Sequence, residues 1–157
     1  MKYLPPIALS LLLGAIAGSA PWAAASAQSS TQPFVEVVAP YVRAVPPGVP
    51  NSAAFMTLRN TGSRALTLVG ASSPVAQAVE LHAHQMNDGV MSMRRIDEIA
   101  IAPLGKVVLK PGGLHIMLIG LTRALKPGSP VELTLHFADG SKKKLAAPVV
   151  MPGRAKR

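Results

Sequence analysis

The 157-residue sequence contains no cysteine. That absence excludes a disulfide framework, a thiolate-ligated zinc or iron–sulfur site, a blue-copper centre and a cysteine nucleophile. Aromatic residues are also scarce, at 4 %. Only Phe34, Tyr41, Phe55 and Phe137 follow the first thirty positions, and at least three of these read as core. The stacking platform of a single-strand binder is therefore missing, and nucleic acid is not an expected partner. Acidic residues number 7 against 16 Lys and Arg, a formal charge of +9. Charged residues make up only 15 % of a chain that is 49 % hydrophobic, but the apolar excess is concentrated at the start. No later run approaches the roughly 18 to 20 apolar residues that a spanning helix needs.

The apolar start has the layout of a cleavable secretory signal over residues 1–27. Lys2 supplies the charge, Leu4 to Ala20 is nearly all apolar or small, and Ala25-Ser26-Ala27 is an A-x-A cleavage site. Export to the periplasm is the expectation, with residues 28–33 a flexible lead-in, 34–150 one domain and 151–157 a basic tail. A domain of that size without disulfides stands on its hydrophobic core.

Beyond the signal the chain breaks into short β-like runs divided by turn residues. Strands are expected at 35–44, 53–59, 65–70, 78–86, 90–95, 106–110, 114–120, 131–137 and 142–149. Asn87-Asp88-Gly89 and Asp139-Gly140 are hairpin signals, because Asp-Gly supports the positive φ of tight turns. Val131, Leu133, Leu135 and Phe137 alternate with polar residues, as a half-buried strand requires. Pro148 is expected to keep the last strand at a sheet edge. Without a helical period or an internal repeat, the fold class is all-β, an antiparallel sandwich or barrel.

Methionine and histidine are what the chain has instead of cysteine. After the signal there are six methionines and four histidines, and seven of these ten lie between His82 and Met117. Three pairs are spaced i, i+2: His82 with His84, Met91 with Met93, and His115 with Met117. On a strand each pair shares one face. Leu114, Ile116 and Leu118 form the opposite, core face, so His115 and Met117 point away from it. A two-residue Asp88-Gly89 loop would set His84 opposite Met93 and Met86 opposite Met91, with His82 diagonal to Met93. Neutral thioethers with imidazole suit Cu(I) and offer little to Mg²⁺, Ca²⁺ or Mn²⁺. Thioethers also avoid the disulfide formation that thiolates risk in an oxidising compartment. A set of this kind holds the ion while permitting exchange to a richer acceptor.

The spacing of His82, Met93, His115 and Met117 resembles the H-x10-M-x21-H-x-M signature of the periplasmic copper chaperones called PCuAC. The segments VELH, DGVMSMR and LKPGGLHIMLIGL, and AAFMTLRN upstream, are similar to that family's, over roughly Val35 to Val149. The resemblance implies a cupredoxin-like β-sandwich with Cu(I) on His82, Met93, His115 and Met117. It also implies delivery to the CuA centre of cytochrome c oxidase, with other copper assembly factors as partners. Some members carry Met directly after the first His, where this chain has Ala83, and His84 and Met86 share the strand face and stand ready to replace or supplement a ligand. Some carry a His/Met-rich tail, where this chain ends MPGRAKR with only Met151.

Other readings compete with these. Met56 is expected in the core, Met151 in the tail and His136 on the solvent face. Basic runs at Lys142-Lys143-Lys144 and Arg154, Lys156 and Arg157 serve solubility, or peripheral docking to an acidic membrane-bound acceptor. Asp97-Glu98 beside Arg94-Arg95 reads as a surface ion-pair cluster. Catalysis finds no G-x-S-x-G elbow, and a zinc hydrolase on His82, His84 and His115 would leave the methionine spacings unexplained. A monomeric carrier rather than an enzyme is expected, with a copper-sequestering protein and a metal-free interaction module as the alternatives. Protonation of His82 and His115 should release the ion below roughly pH 5 to 6.

Overall fold

A computed structural model describes residues 33–87 and 89–153. The expected signal, nearly all of the lead-in, Asp88 and the last four tail residues lie outside these. The described chain is all-β, with ten strands. They are β1 (Val35–Arg43), β2 (Asn51–Asn60), β3 (Leu66–Ser72), β4 (Ala76–Asn87), β5 (Val90–Arg95), β6 (Ile99–Ile101), β7 (Lys106–Leu109), β8 (His115–Leu121), β9 (Pro130–Phe137) and β10 (Lys142–Val150).

The strands follow the order β5-β4-β8-β2-β1-β10-β9-β3-β6, with β7 also against β2. All pairings are antiparallel except β1 with β10, which run parallel at Val42–Val149 and Arg43–Val150. That short parallel stitch joins two sheets into a sandwich around one core. Ala54, Met56, Leu58, Leu81, Ile116 and Leu118 come from one sheet; Leu68, Ile101, Val131, Leu133, Leu135 and Phe137 come from the other. Strict alternation in β9 buries its four apolar residues, and Met56 is a core residue, both as expected. Phe34 and Tyr41 are not core; of the four aromatics only Phe55 and Phe137 are buried.

Three further expectations change. β6 was not anticipated. Pro148 does not sit on an edge strand, because β10 lies between β1 and β9. It is tolerated there for a local reason. Val149 N–H donates toward β9, to Ser129 O, so the Pro148 nitrogen faces the β1 side, where pairing begins only at Val149. Arg95 pairs with Glu80 of β4 rather than with Asp97 or Glu98, so the local ion-pair cluster does not form among the described residues.

One irregularity positions the candidate site. β1 carries a bulge between Val38 and Tyr41, with Ala39 at φ 49°. The extra residue reverses the phase of the strand. Val35 and Val37 face the core before it, whereas Tyr41 turns to the outer face, opposite Phe55.

Candidate metal centre

The outer face of β5, β4 and β8 gathers the metal-type side chains. β4 carries Glu80, His82, His84 and Met86 on this face, because Val79 and Leu81 turn to the core. The β4–β5 register sets His84 opposite Met93 and Met86 opposite Met91, as the two-residue turn predicts, with Gly89 at φ 78°. His82 lies opposite Arg95 on one side and opposite His115 on the other. Met117 lies opposite Glu80 on β4 and Ala53 on β2.

Around His115 the arrangement tightens. Its ring centroid is 5.1 Å from that of His84, 5.8 Å from His82 and 6.2 Å from Phe55. Tyr41 packs on Phe55 at 5.1 Å, and the Arg43 guanidinium lies over the Phe55 ring at 5.4 Å. This cover leaves His115 only 2 % exposed although it faces away from the core. A cavity of about 170 Å³ opens here, lined by His84, Met93, His115 and Met117 with Phe55 and Arg43. Of the four residues in the recognised spacing, Met93, His115 and Met117 meet in this cavity. His82 lies beside it, and His84 occupies the wall.

Hydrogen bonds fix which imidazole nitrogens are free. His115 Nδ1 lies 3.0 Å from Gly113 O, so Nδ1 carries the proton and Nε2 keeps its lone pair. His82 Nε2 lies 2.8 Å from Glu80 Oε2, which leaves the His82 lone pair on Nδ1. Glu80 is held in turn by Arg95, at 3.3 Å. Nδ1 of His82 and Nδ1 of His84 are buried and meet no hydrogen-bond partner among the described residues. Such orphans cost about 1–3 kcal/mol each unless a ligand takes them up. Burial pushes the His115 pKa down, against the Gly113 hydrogen bond, with smaller downward contributions from His84, His82 and Arg43. The His82 hydrogen bond holds the Glu80 carboxyl below its usual range, against desolvation and with help from the Arg95 charge.

Chemically, the face offers thioethers and neutral imidazole nitrogens with one carboxylate beside them, a donor set suited to a soft monovalent cation. Among the described residues no three His, Asp or Glu side chains are grouped to hold a metal ion, so the three-imidazole zinc arrangement is not assembled. Sequence reasoning missed Glu80, Arg95, Gly113 and the Phe55 cover. Glu80 was within reach of it, two residues before His82 on the same strand face.

A profile of the LpqE-like lipoprotein family matches residues 35–149, and solved PCuAC copper-binding domains share the fold. This chain belongs to the PCuAC family. A copper-bound PCuAC domain from PmoF2 matches with TM-score 0.65 at 26 % identity, covering 76 % of this chain and 94 % of that domain. The Cu(I) form of DR1885 from Deinococcus radiodurans matches with TM-score 0.61 at 34 % identity, covering 85 % and 87 %. Among sequences, the lipoprotein-named Lxx21020 of Leifsonia xyli is 37 % identical over 143 residues, which span 89 % of this chain and 84 % of that protein. The PCuAC fold is thus the all-β sandwich expected from the strand pattern, and PCuAC domains are copper-binding modules rather than enzymes. The lipoprotein name of the relatives fits a protein that works outside the cytoplasm.

Proposed function

We propose that this protein is a periplasmic carrier that takes one Cu(I) ion as cargo on His82, Met93, His115 and Met117 and passes it to an acceptor. The observation that carries the reading is the convergence, on one outer sheet face, of thioethers with imidazoles whose free lone pairs are set by Gly113 and Glu80. Neutral soft donors favour Cu(I), and the Glu80 carboxylate beside His82 complements the ion's charge. Transfer proceeds by ligand exchange. A thiolate acceptor binds Cu(I) more strongly than a thioether does, so the ion moves down an affinity gradient without a redox step. The copper-bearing relatives support the choice of metal. The CuA centre of cytochrome c oxidase, reached with other assembly factors, is the acceptor we propose. The carrier is proposed to work as a monomer.

Anaerobic Cu(I) titration against a competing chelator tests the site. One equivalent should bind, and Met93→Ala and His115→Ala should each weaken it at least about tenfold. One-equivalent binding that neither substitution weakens would sink the assignment. Delivery is separated from sequestration by a deletion strain at limiting copper. Loss of oxidase activity that added copper restores marks delivery, whereas copper sensitivity alone marks buffering.

A further inference from the structure

Two methionines on the metal face lie outside the ligand set. Met86 and Met91 are cross-strand partners next to the hairpin turn, and the following pair on the same face is His84 with Met93. Both are exposed, Met86 at 64 % and Met91 at 57 %, whereas the core methionine Met56 is 2 % exposed. They contribute nothing to the core. β5 is an edge strand with every residue exposed, so no other element covers them among the described residues.

Directly opposed residues hold their Cβ atoms about 4.5–5.5 Å apart, and successive same-face positions are about 6.6–6.8 Å apart along a strand. Unbranched methionine side chains with three rotatable bonds span such gaps, so two sulfurs and an intervening imidazole can converge on one ion. His84 stands at the junction. It lines the cavity, and its Nδ1 is buried without a partner among the described residues. These donors are neutral, and the thioethers among them are soft, the combination that selects Cu(I) or Ag(I) over hard divalent ions.

We propose that His84, Met86 and Met91 form a second soft-metal station on the β4–β5 hairpin, through which Cu(I) enters and leaves the neighbouring centre. The inference rests on the carrier reading above. An apolar rim for partner contact is the competing role for the two methionines, and leucine separates the two roles. Met→Leu keeps the apolar volume and removes the sulfur.

The test is titration of methyl-labelled protein with Ag(I) alone, a redox-inert stand-in for Cu(I), followed by the methionine methyl resonances. The first equivalent should move Met93 and Met117, and the second should move Met86 and Met91. The Met86→Leu/Met91→Leu variant should accept one equivalent only and lose Cu(I) to a chelator about tenfold more slowly. The station is overturned if the Met86 and Met91 methyls stay put through two equivalents, or if the double variant still takes the second. Movement of Met93 and Met117 alone removes the station and keeps the carrier. Failure of all four methyls to respond removes both.

Discussion

His115 answers to two opposed pressures. Burial disfavours its charged form, while Gly113 O, as acceptor for Nδ1–H, stabilises the ring in one orientation. Burial wins, and the pKa falls below the ordinary 6.5. The folded metal-free domain therefore binds fewer protons at His115 than the unfolded chain does between that lowered value and 6.5. Its contribution to stability is complete above pH 6.5 and is lost as pH falls through the folded value. Urea midpoints of the metal-free protein should decline on acidification from pH 6.5, and His115→Gln should flatten much of that decline. His136, lowered by burial and by Lys142, supplies a remaining slope of the same sign. The acidic groups Glu80 and Asp139 are displaced downward from 4.5 and 3.8, so their losses come in a separate, more acid window. An unchanged slope in His115→Gln would mean that the imidazole is already free to protonate in the folded state. The same lowered pKa keeps the His115 lone pair available for a metal at mildly acid pH.

At the level of elements, Asn60 shows how one buried polar residue can be structural. It ends β2 and is buried. Its Nδ2 donates to Arg64 O at 2.7 Å and Ala102 O at 3.1 Å, while Oδ1 accepts from Gly62 N–H at 2.9 Å. The amide so ties the β2–β3 turn to the β6–β7 connection. Asn60→Ala removes these part-buried hydrogen bonds and should cost about 1–3 kcal/mol, seen as a lower urea midpoint. Cu(I) affinity should not change, because the metal face meets the opposite end of β2, at Ala53. The β4–β5 register was legible, because it follows from Asp-Gly and alternation. β6 was not legible. Three residues give no measurable period, and their partner β3 lies some thirty positions away. The β1–β10 stitch and the neighbourhood of Pro148 likewise depend on pairings across the whole chain. Within the site, the spacings located Met93, His115 and Met117 together. They did not show that His84 rather than His82 lines the cavity, because that depends on packing across strands.

For the whole molecule, the question is where an excess of positive charge acts. The formal charge is +9, and the most concentrated run, Lys142 to Lys144, lies on β10. β10 is separated from β8 in the strand order by β1 and β2, so those lysines do not flank the metal face. Among the described residues, cations at that face include Arg43, on the cavity wall, and Arg95, opposite His82. The proposed acceptor would meet these guanidinium groups as it approaches the metal face, and an acidic rim on its side would steer the encounter. Stopped-flow transfer of Cu(I) to an acidic acceptor domain should slow about tenfold as salt rises from roughly 20 to 200 mM, because screening shortens the reach of these charges. Neutralising Lys142, Lys143 and Lys144 to Gln should leave most of that salt dependence in place. Arg43→Gln should remove a larger share of it from a single charge, since steering is strongest for charges nearest the contact. A reversed order of the two effects would move the docking surface to β10, and a rate indifferent to salt would leave the basic charge with solubility as its only role.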